Sequence, residues 1–171
     1  MSKLRTAVRI VLVGVLAAVF GAVAVGQPAH ANIPFTFQIR NYGSGLCLRP
    51  FPFWDLPIQQ QPCTGAMDQK WGFDWVTTTH ALIVSREDES MCLAVKNGNS
   101  ADRTSLVLEP CLITNRQLWR PTVVPWGYTL VSKISSKCVD IAGGSLQAGA
   151  YAWLYHCTDW NTAQVFSLSP A

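Results

Sequence analysis

Short apolar or alternating runs, three to five residues long, recur along the chain and are separated by turn-forming residues. Phe37-Gln38-Ile39-Arg40, Ala81-Leu82-Ile83-Val84 and Tyr128-Thr129-Leu130-Val131 stand at matching distances before three cysteines. Leu106-Val107-Leu108 and Ala152-Trp153-Leu154-Tyr155 stand just before two others. Runs of this length, rich in β-branched and aromatic residues, read as strands. Gly43-Ser44-Gly45, Asn97-Gly98-Asn99-Ser100 and Gly143-Gly144-Ser145 punctuate them as turns. Beyond residue 31 no apolar period of 3.6 residues persists for three turns, so the pattern predicts an all-β domain.

The runs belong to a larger repeat. SGLCLRP, ESMCLAV and SSKCVDI carry leading cysteines at 47, 92 and 138, and QQQPCTG, VLEPCLI and WLYHCTD carry trailing ones at 63, 111 and 157. Each copy closes on Gln, any residue, then an aromatic: Gln69/Trp71, Gln117/Trp119 and Gln164/Phe166. The repeats span about residues 33–77, 78–123 and 124–171, with about four short strands each. A propeller blade has a similar period, but three blades fall short of the usual four to eight. Three repeats instead suit a closed barrel in which each supplies a third of the core, and closure removes exposed strand edges. The aromatic of each Gln-x-aromatic then points inward. In a regular strand the glutamine shares that face, so its amide needs backbone partners; a buried amide without them costs roughly 1–3 kcal/mol.

Charge and cysteines sharpen the reading. The 171 residues include 13 Lys plus Arg and 10 Asp plus Glu, a formal +3. Lys3, Arg5 and Arg9 precede an apolar stretch at 10–25, followed by Gln27-Pro28-Ala29-His30-Ala31. That order reads as a secretory signal peptide over residues 1–31. Its 16 apolar residues are short for a membrane span, which takes about 20; an uncleaved signal anchor is the alternative. Cleavage after Ala31 leaves residues 32–171, with 13 − 3 = 10 basic and 10 acidic residues. A formally neutral domain lacks a polybasic footprint, so no nucleic-acid partner is expected, nor stable membrane insertion once the signal is gone. The expected location is extracellular. Cys47, Cys63, Cys92, Cys111, Cys138 and Cys157 all lie in the exported part, and an even count there implies a disulfide framework. Zinc is the competing use, but there is no C-x-x-C and only His80 and His156 remain, so neither metal nor cofactor is expected.

The triple pattern of C-L/V, a second cysteine and Q-x-W/F resembles the ricin B-type lectin domain over roughly Ile33 to Leu168. The resemblance implies a β-trefoil, a carbohydrate-binding activity without catalysis, and one disulfide within each repeat: Cys47–Cys63, Cys92–Cys111 and Cys138–Cys157. Each closes a short loop, worth on the order of 3 kcal/mol. In that family a competent repeat has an Asp just after the leading cysteine, an aromatic two residues before the trailing one, and Asn-Gln at the Q-x-W. The chemistry stands without the family. An aromatic ring stacks on the apolar C–H face of a sugar, and a carboxylate accepts from its hydroxyls at about 1.5–3 kcal/mol per bond.

The first repeat has Arg49 and Gln61 at the two key positions, and the second has Ala94 and Glu109. Only the third has Asp140 and Tyr155, with Trp153 on the same strand face and Gln164 in place. Ala163 stands where the family has Asn, and Asn161, in a loop one residue longer, is the substitute. The expected function is therefore a secreted carbohydrate-binding protein whose sugar is held by Asp140, Trp153, Tyr155, Asn161 and Gln164. In the scaffold alternative Asp140 caps a turn and the aromatics are barrel packing. The rival function is a non-catalytic protein-interaction or cell-surface-binding subunit with a separate protein partner. Two degenerate repeats and the Phe51-Pro52-Phe53-Trp54 run favour that rival. Asp140 and Asp159 as paired hydrolytic carboxylates, and a trefoil protease inhibitor, fit the pattern less well; no Gly-x-Ser-x-Gly or comparable nucleophile context occurs.

Overall fold

The computed structural model describes residues 35–51 and 55–171; the expected signal peptide and Pro52, Phe53 and Trp54 lie outside them. The described residues form twelve strands, four per repeat. The first repeat contributes β1 (Phe37–Asn41), β2 (Cys47–Arg49), β3 (Gln59–Gln61) and β4 (Lys70–Trp75). The second contributes β5 (Ala81–Ser85), β6 (Met91–Val95), β7 (Leu106–Pro110) and β8 (Leu118–Val124). The third contributes β9 (Gly127–Ser132), β10 (Cys138–Ile141), β11 (Ala152–Tyr155) and β12 (Phe166–Pro170). Every run read as a strand from the sequence is one. Among the described residues the only helical segments are single 3-10 turns.

The outer strands of the repeats close on themselves. β1 pairs β4, β4 pairs β5, β5 pairs β8, β8 pairs β9, β9 pairs β12, and β12 returns to β1, all antiparallel. This six-stranded ring has no free edge. The inner strands form three hairpins, β2–β3, β6–β7 and β10–β11, that cap one end of the ring. Backbone hydrogen bonds stitch the caps together: Ile58 N–H to the Leu106 carbonyl, Ala152 N–H to that of Ile58, and Leu154 N–H to that of Thr104. The arrangement is the β-trefoil that the resemblance implies.

The core repeats threefold as the sequence does. Ile39, Ile83 and Leu130 come from the first strand of each repeat; Leu48, Leu93 and Val139 follow the leading cysteines; Trp71, Trp119 and Phe166 close the repeats. The indole N–H groups of Trp71 and Trp119 donate to the carbonyls of Leu48 and Leu93 at 3.2 and 2.9 Å, which satisfies two buried donors. Phe166, at the third position, has no donor to satisfy. The disulfides are Cys47–Cys63, Cys92–Cys111 and Cys138–Cys157, one in each repeat.

One local expectation is corrected. Gln69, Gln117 and Gln164 do not sit within the closing strand; each ends a 3-10 turn just before it. The turn aims the amide sideways onto the chain around the trailing cysteine. Gln69 donates to the Pro62 carbonyl and accepts from Thr64 N–H, both at 2.7 Å. Gln117 does the same to Pro110 and Leu112, at 2.7 and 3.0 Å, and Gln164 to His156 and Thr158, at 3.0 and 2.9 Å. A leucine of similar size at this site strands one backbone N–H and one carbonyl, at roughly 1–3 kcal/mol each. Gln117→Leu is therefore expected to destabilise the oxidised protein by about 2 kcal/mol or more in urea unfolding. A variant as stable as wild type would mean that the clasp carries no weight.

Candidate functional site

The β10–β11 hairpin builds the candidate site. Its register sets Asp140 opposite Trp153 and Cys138 opposite Tyr155. Trp153 and Tyr155 share a strand face, with ring centroids 6.4 Å apart and planes 22° from parallel. The Trp153 indole turns its edge inward and donates to Asp140 Oδ1 at 2.7 Å. Two further donors meet at Asp140 Oδ2: Gln164 Nε2 at 2.9 Å and Asn161 Nδ2 at 3.3 Å. The longer loop does bring Asn161 inward, and its Oδ1 accepts from Ala163 N–H at 3.1 Å, which fixes the side chain. All five residues singled out in the sequence thus meet at one place, four of them joined through the Asp140 carboxylate.

Asp140 is only 4% exposed. A carboxylate offers about four acceptor positions, and three are filled. One is left, and Asp140 lines a depression of ≈ 240 Å³ together with Trp153, Tyr155, Asn161, Arg103, Gly143 and Gly144. A Cβ on either glycine would meet open space, and both hold left-handed backbone (φ 65° and 63°). The tight, side-chain-free turn after β10 therefore leaves the depression unobstructed.

Sequence reasoning missed the part contributed by the second repeat. The loop between β6 and β7 carries Arg103 to within 6.0 Å of the Trp153 ring centroid. Its neighbour Asp102 accepts from Lys137 Nζ at 2.7 Å and from His156 Nδ1 at 3.0 Å. The His156 ring lies against Tyr155, 4.2 Å between centroids. No repeat motif marks Asp102 or Arg103, because the contact crosses between repeats. Asp159, imagined as the partner carboxylate of Asp140, lines a different groove.

The corresponding positions in the other repeats carry ion pairs instead. In the first, Arg49 pairs with Asp68, the residue before Gln69. In the second, Arg116, before Gln117, pairs with Glu109 at 2.8 Å. Each ion pair replaces the carboxylate held by neutral donors that the third repeat has, and the Arg49–Asp68 pair borders a depression of its own, ≈ 310 Å³.

The profile of the ricin-type β-trefoil lectin domain matches residues 35–166. The chain belongs to that family. Among curated proteins none matches this lectin-family chain. Solved structures share its fold at low identity. The designed threefold-symmetric protein ThreeFoil superposes with a TM-score of 0.74 at 21% identity, over 78% of this chain and 97% of its own. The ricin B-like lectin of Macrolepiota procera, solved with lactose, gives 0.67 at 18% identity, over 80% and 95%. An exo-β-1,3-galactanase from Clostridium thermocellum gives 0.75 at 21% identity over 80% of this chain, which spans 30% of that enzyme. Among the described residues of this lectin-family chain, no helix is long and apolar enough to cross a membrane.

The clasp between the repeats has a pH signature. Hydrogen bonds from His156 first, then Lys137, hold the Asp102 carboxyl down to about 2 from its ordinary 3.8. A carboxylate depressed in the folded state contributes stability above its unfolded pKa and loses it as pH falls through the folded value. The melting temperature of Asp102→Asn is thus expected to lie below wild type at pH 5. The gap should close between about pH 4 and 2. A gap that is constant from pH 5 to 2 would show that Asp102 does not hold the two repeats together.

Proposed function

We propose that this protein is a secreted, non-catalytic lectin that holds a saccharide in the depression of its third repeat. The observation that carries the reading is the Asp140 carboxylate, fixed by Trp153, Asn161 and Gln164, with one acceptor position unfilled beside the depression it lines. Tyr155 supplies the ring on which a sugar's C–H face stacks, and Asp140 accepts from a hydroxyl. Trp153, Asn161 and Gln164 orient that carboxylate. Arg103 adds donors at the rim. Membership in a lectin family supports the class of ligand. The basic, apolar, small-residue order of residues 1–31 supports export, which also suits three disulfides.

A single shallow site binds weakly; millimolar affinity corresponds to about −4.1 kcal/mol. The rival, a protein-interaction subunit with a separate partner, is favoured by the Arg49–Asp68 and Glu109–Arg116 pairs, which take the place of the Asp140 arrangement in the other two repeats. A glycan array on the oxidised protein separates the two. The lectin reading expects wild type to bind a defined set of glycans. Tyr155→Ala and Asp140→Asn should then bind them about tenfold more weakly or worse, the scale of one lost charged hydrogen bond or stacking contact. Tyr155→Ala should keep the wild-type melting temperature. A blank array for wild type, with specific capture of a secreted protein, would instead establish the rival.

A further inference from the structure

Tyr42, Trp126 and Trp160 form an exposed aromatic corner that neither the barrel nor the Asp140 site uses. They are 48%, 52% and 74% exposed. Tyr42 stacks on Trp126 with centroids 5.6 Å apart and planes at 17°, and Trp160 stands at 61° to Trp126 at 5.7 Å. The corner opens on a groove of ≈ 470 Å³, lined also by Arg120, Thr122, Thr129 and Asp159.

Both tryptophans sit in left-handed backbone, at φ 71° and 62°. Trp126 is the third residue of the Val124–Gly127 turn joining β8 to β9, after Pro125, and Trp160 is the third residue of the Thr158–Asn161 turn. That position favours glycine or asparagine, and a bulky residue there is strained. The residue four before the closing glutamine is Gly65 in the first repeat, Ile113 in the second and Trp160 in the third, all with positive φ. The same turn therefore forms around a glycine, and a mostly exposed indole does little for its folding. Gly127 fixes the other turn: a Cβ there would lie 2.4 Å from the Phe166 carbonyl oxygen, so the hairpin packs directly on β12 and holds Trp126 in place.

The groove adds polar chemistry to the rings. Among the described residues neither Arg120 nor Asp159 has an ion-pair partner. Rigid aromatic faces beside one unpaired donor and one unpaired acceptor make a recognition set for a neutral saccharide. An anionic membrane surface calls for clustered cations, and here one guanidinium is offset by one carboxylate.

We propose that this corner and its groove form a second saccharide-binding surface, separate from the Asp140 depression, for a neutral oligosaccharide. The segment 157–164 divides the two. Asn161 faces Asp140, Thr158, Asp159 and Trp160 face the groove, and Gln164 bonds Asp140 while also bordering the groove. Two weak sites so close together strengthen the hold on a polymeric glycan through effective concentration.

The test is affinity electrophoresis of the oxidised protein in gels containing β-1,3-glucan, galactan or arabinoxylan, with sedimentation on phosphatidylcholine vesicles alongside. The variants are Trp126→Gly, Trp160→Gly and Tyr155→Ala. Glycine suits left-handed backbone, so the tryptophan variants should melt no lower than wild type while losing the ring. The proposal expects at least one polysaccharide to retard wild type, and each tryptophan variant to bind it at least fivefold more weakly. It also expects Tyr155→Ala to retain part of the retardation, which Trp160→Gly then removes in the double variant. No retardation of wild type, retardation unchanged in both tryptophan variants, or a loss confined to vesicle binding would each overturn it. Retardation abolished by Tyr155→Ala alone would also overturn it while leaving the third-repeat site standing; the reverse pattern would sink that site and keep this one.

Discussion

Three buried glutamine amides set the geometry on which everything else in this molecule rests. Each ties the start of a closing strand to the backbone on both sides of a trailing cysteine, so the disulfide, the cap hairpin and the barrel strand become one unit. In the first two repeats the amide is spent on this task. In the third, Gln164 Nε2 has a second partner, the Asp140 carboxylate at 2.9 Å. The group that fastens the scaffold thus also aims the acceptor of the candidate site, and scaffold and site share one rigid element.

That sharing sets the third repeat apart from the other two. The trefoil supplies three equivalent places, each flanked by a cap hairpin and a glutamine turn. What fills each place depends on a few positions near the cysteines and glutamines. Arg49 with Asp68, and Glu109 with Arg116, answer one another inside their own repeats. Asp140 is answered by neutral donors, which hold the carboxylate without neutralising it and leave it able to accept another hydrogen bond. The neighbouring repeat then completes the wall with Arg103 and the Asp102–His156 clasp.

Much of this was legible along the chain, but not β3. Gln59-Gln60-Gln61 has no apolar pattern, yet it forms a strand with its first two residues buried. The reason lies far off in sequence. Gln60 Nε2 donates to the carbonyls of Ser145 and Gln147 at 2.8 and 2.9 Å, and its Oε1 accepts from Ser44 at 2.7 Å. A polar side chain is buried without penalty where distant backbone satisfies it, and a local pattern of hydrophobic positions carries no trace of such partners. The glutamine turns were misplaced for a related reason: the Gln-x-aromatic spacing fits a strand, but the amide needed the loop around the trailing cysteine, and a 3-10 turn reaches it.

The sequence by itself determined the all-β class and the three repeats, and it singled out Asp140, Trp153, Tyr155, Asn161 and Gln164 as candidates. These are periodic signals, and periodicity survives in one dimension because each repeat solves the same packing problem with the same residue types. Only the tertiary structure decided the pairings of the six-stranded ring, and that Asn161 turns toward Asp140. It also decided that Arg103 crosses from the second repeat, and that Tyr42, Trp126 and Trp160 meet at one corner. Those facts depend on contacts between segments far apart in sequence, made where loops from different repeats converge, and no single segment carries the partner's half of such a contact.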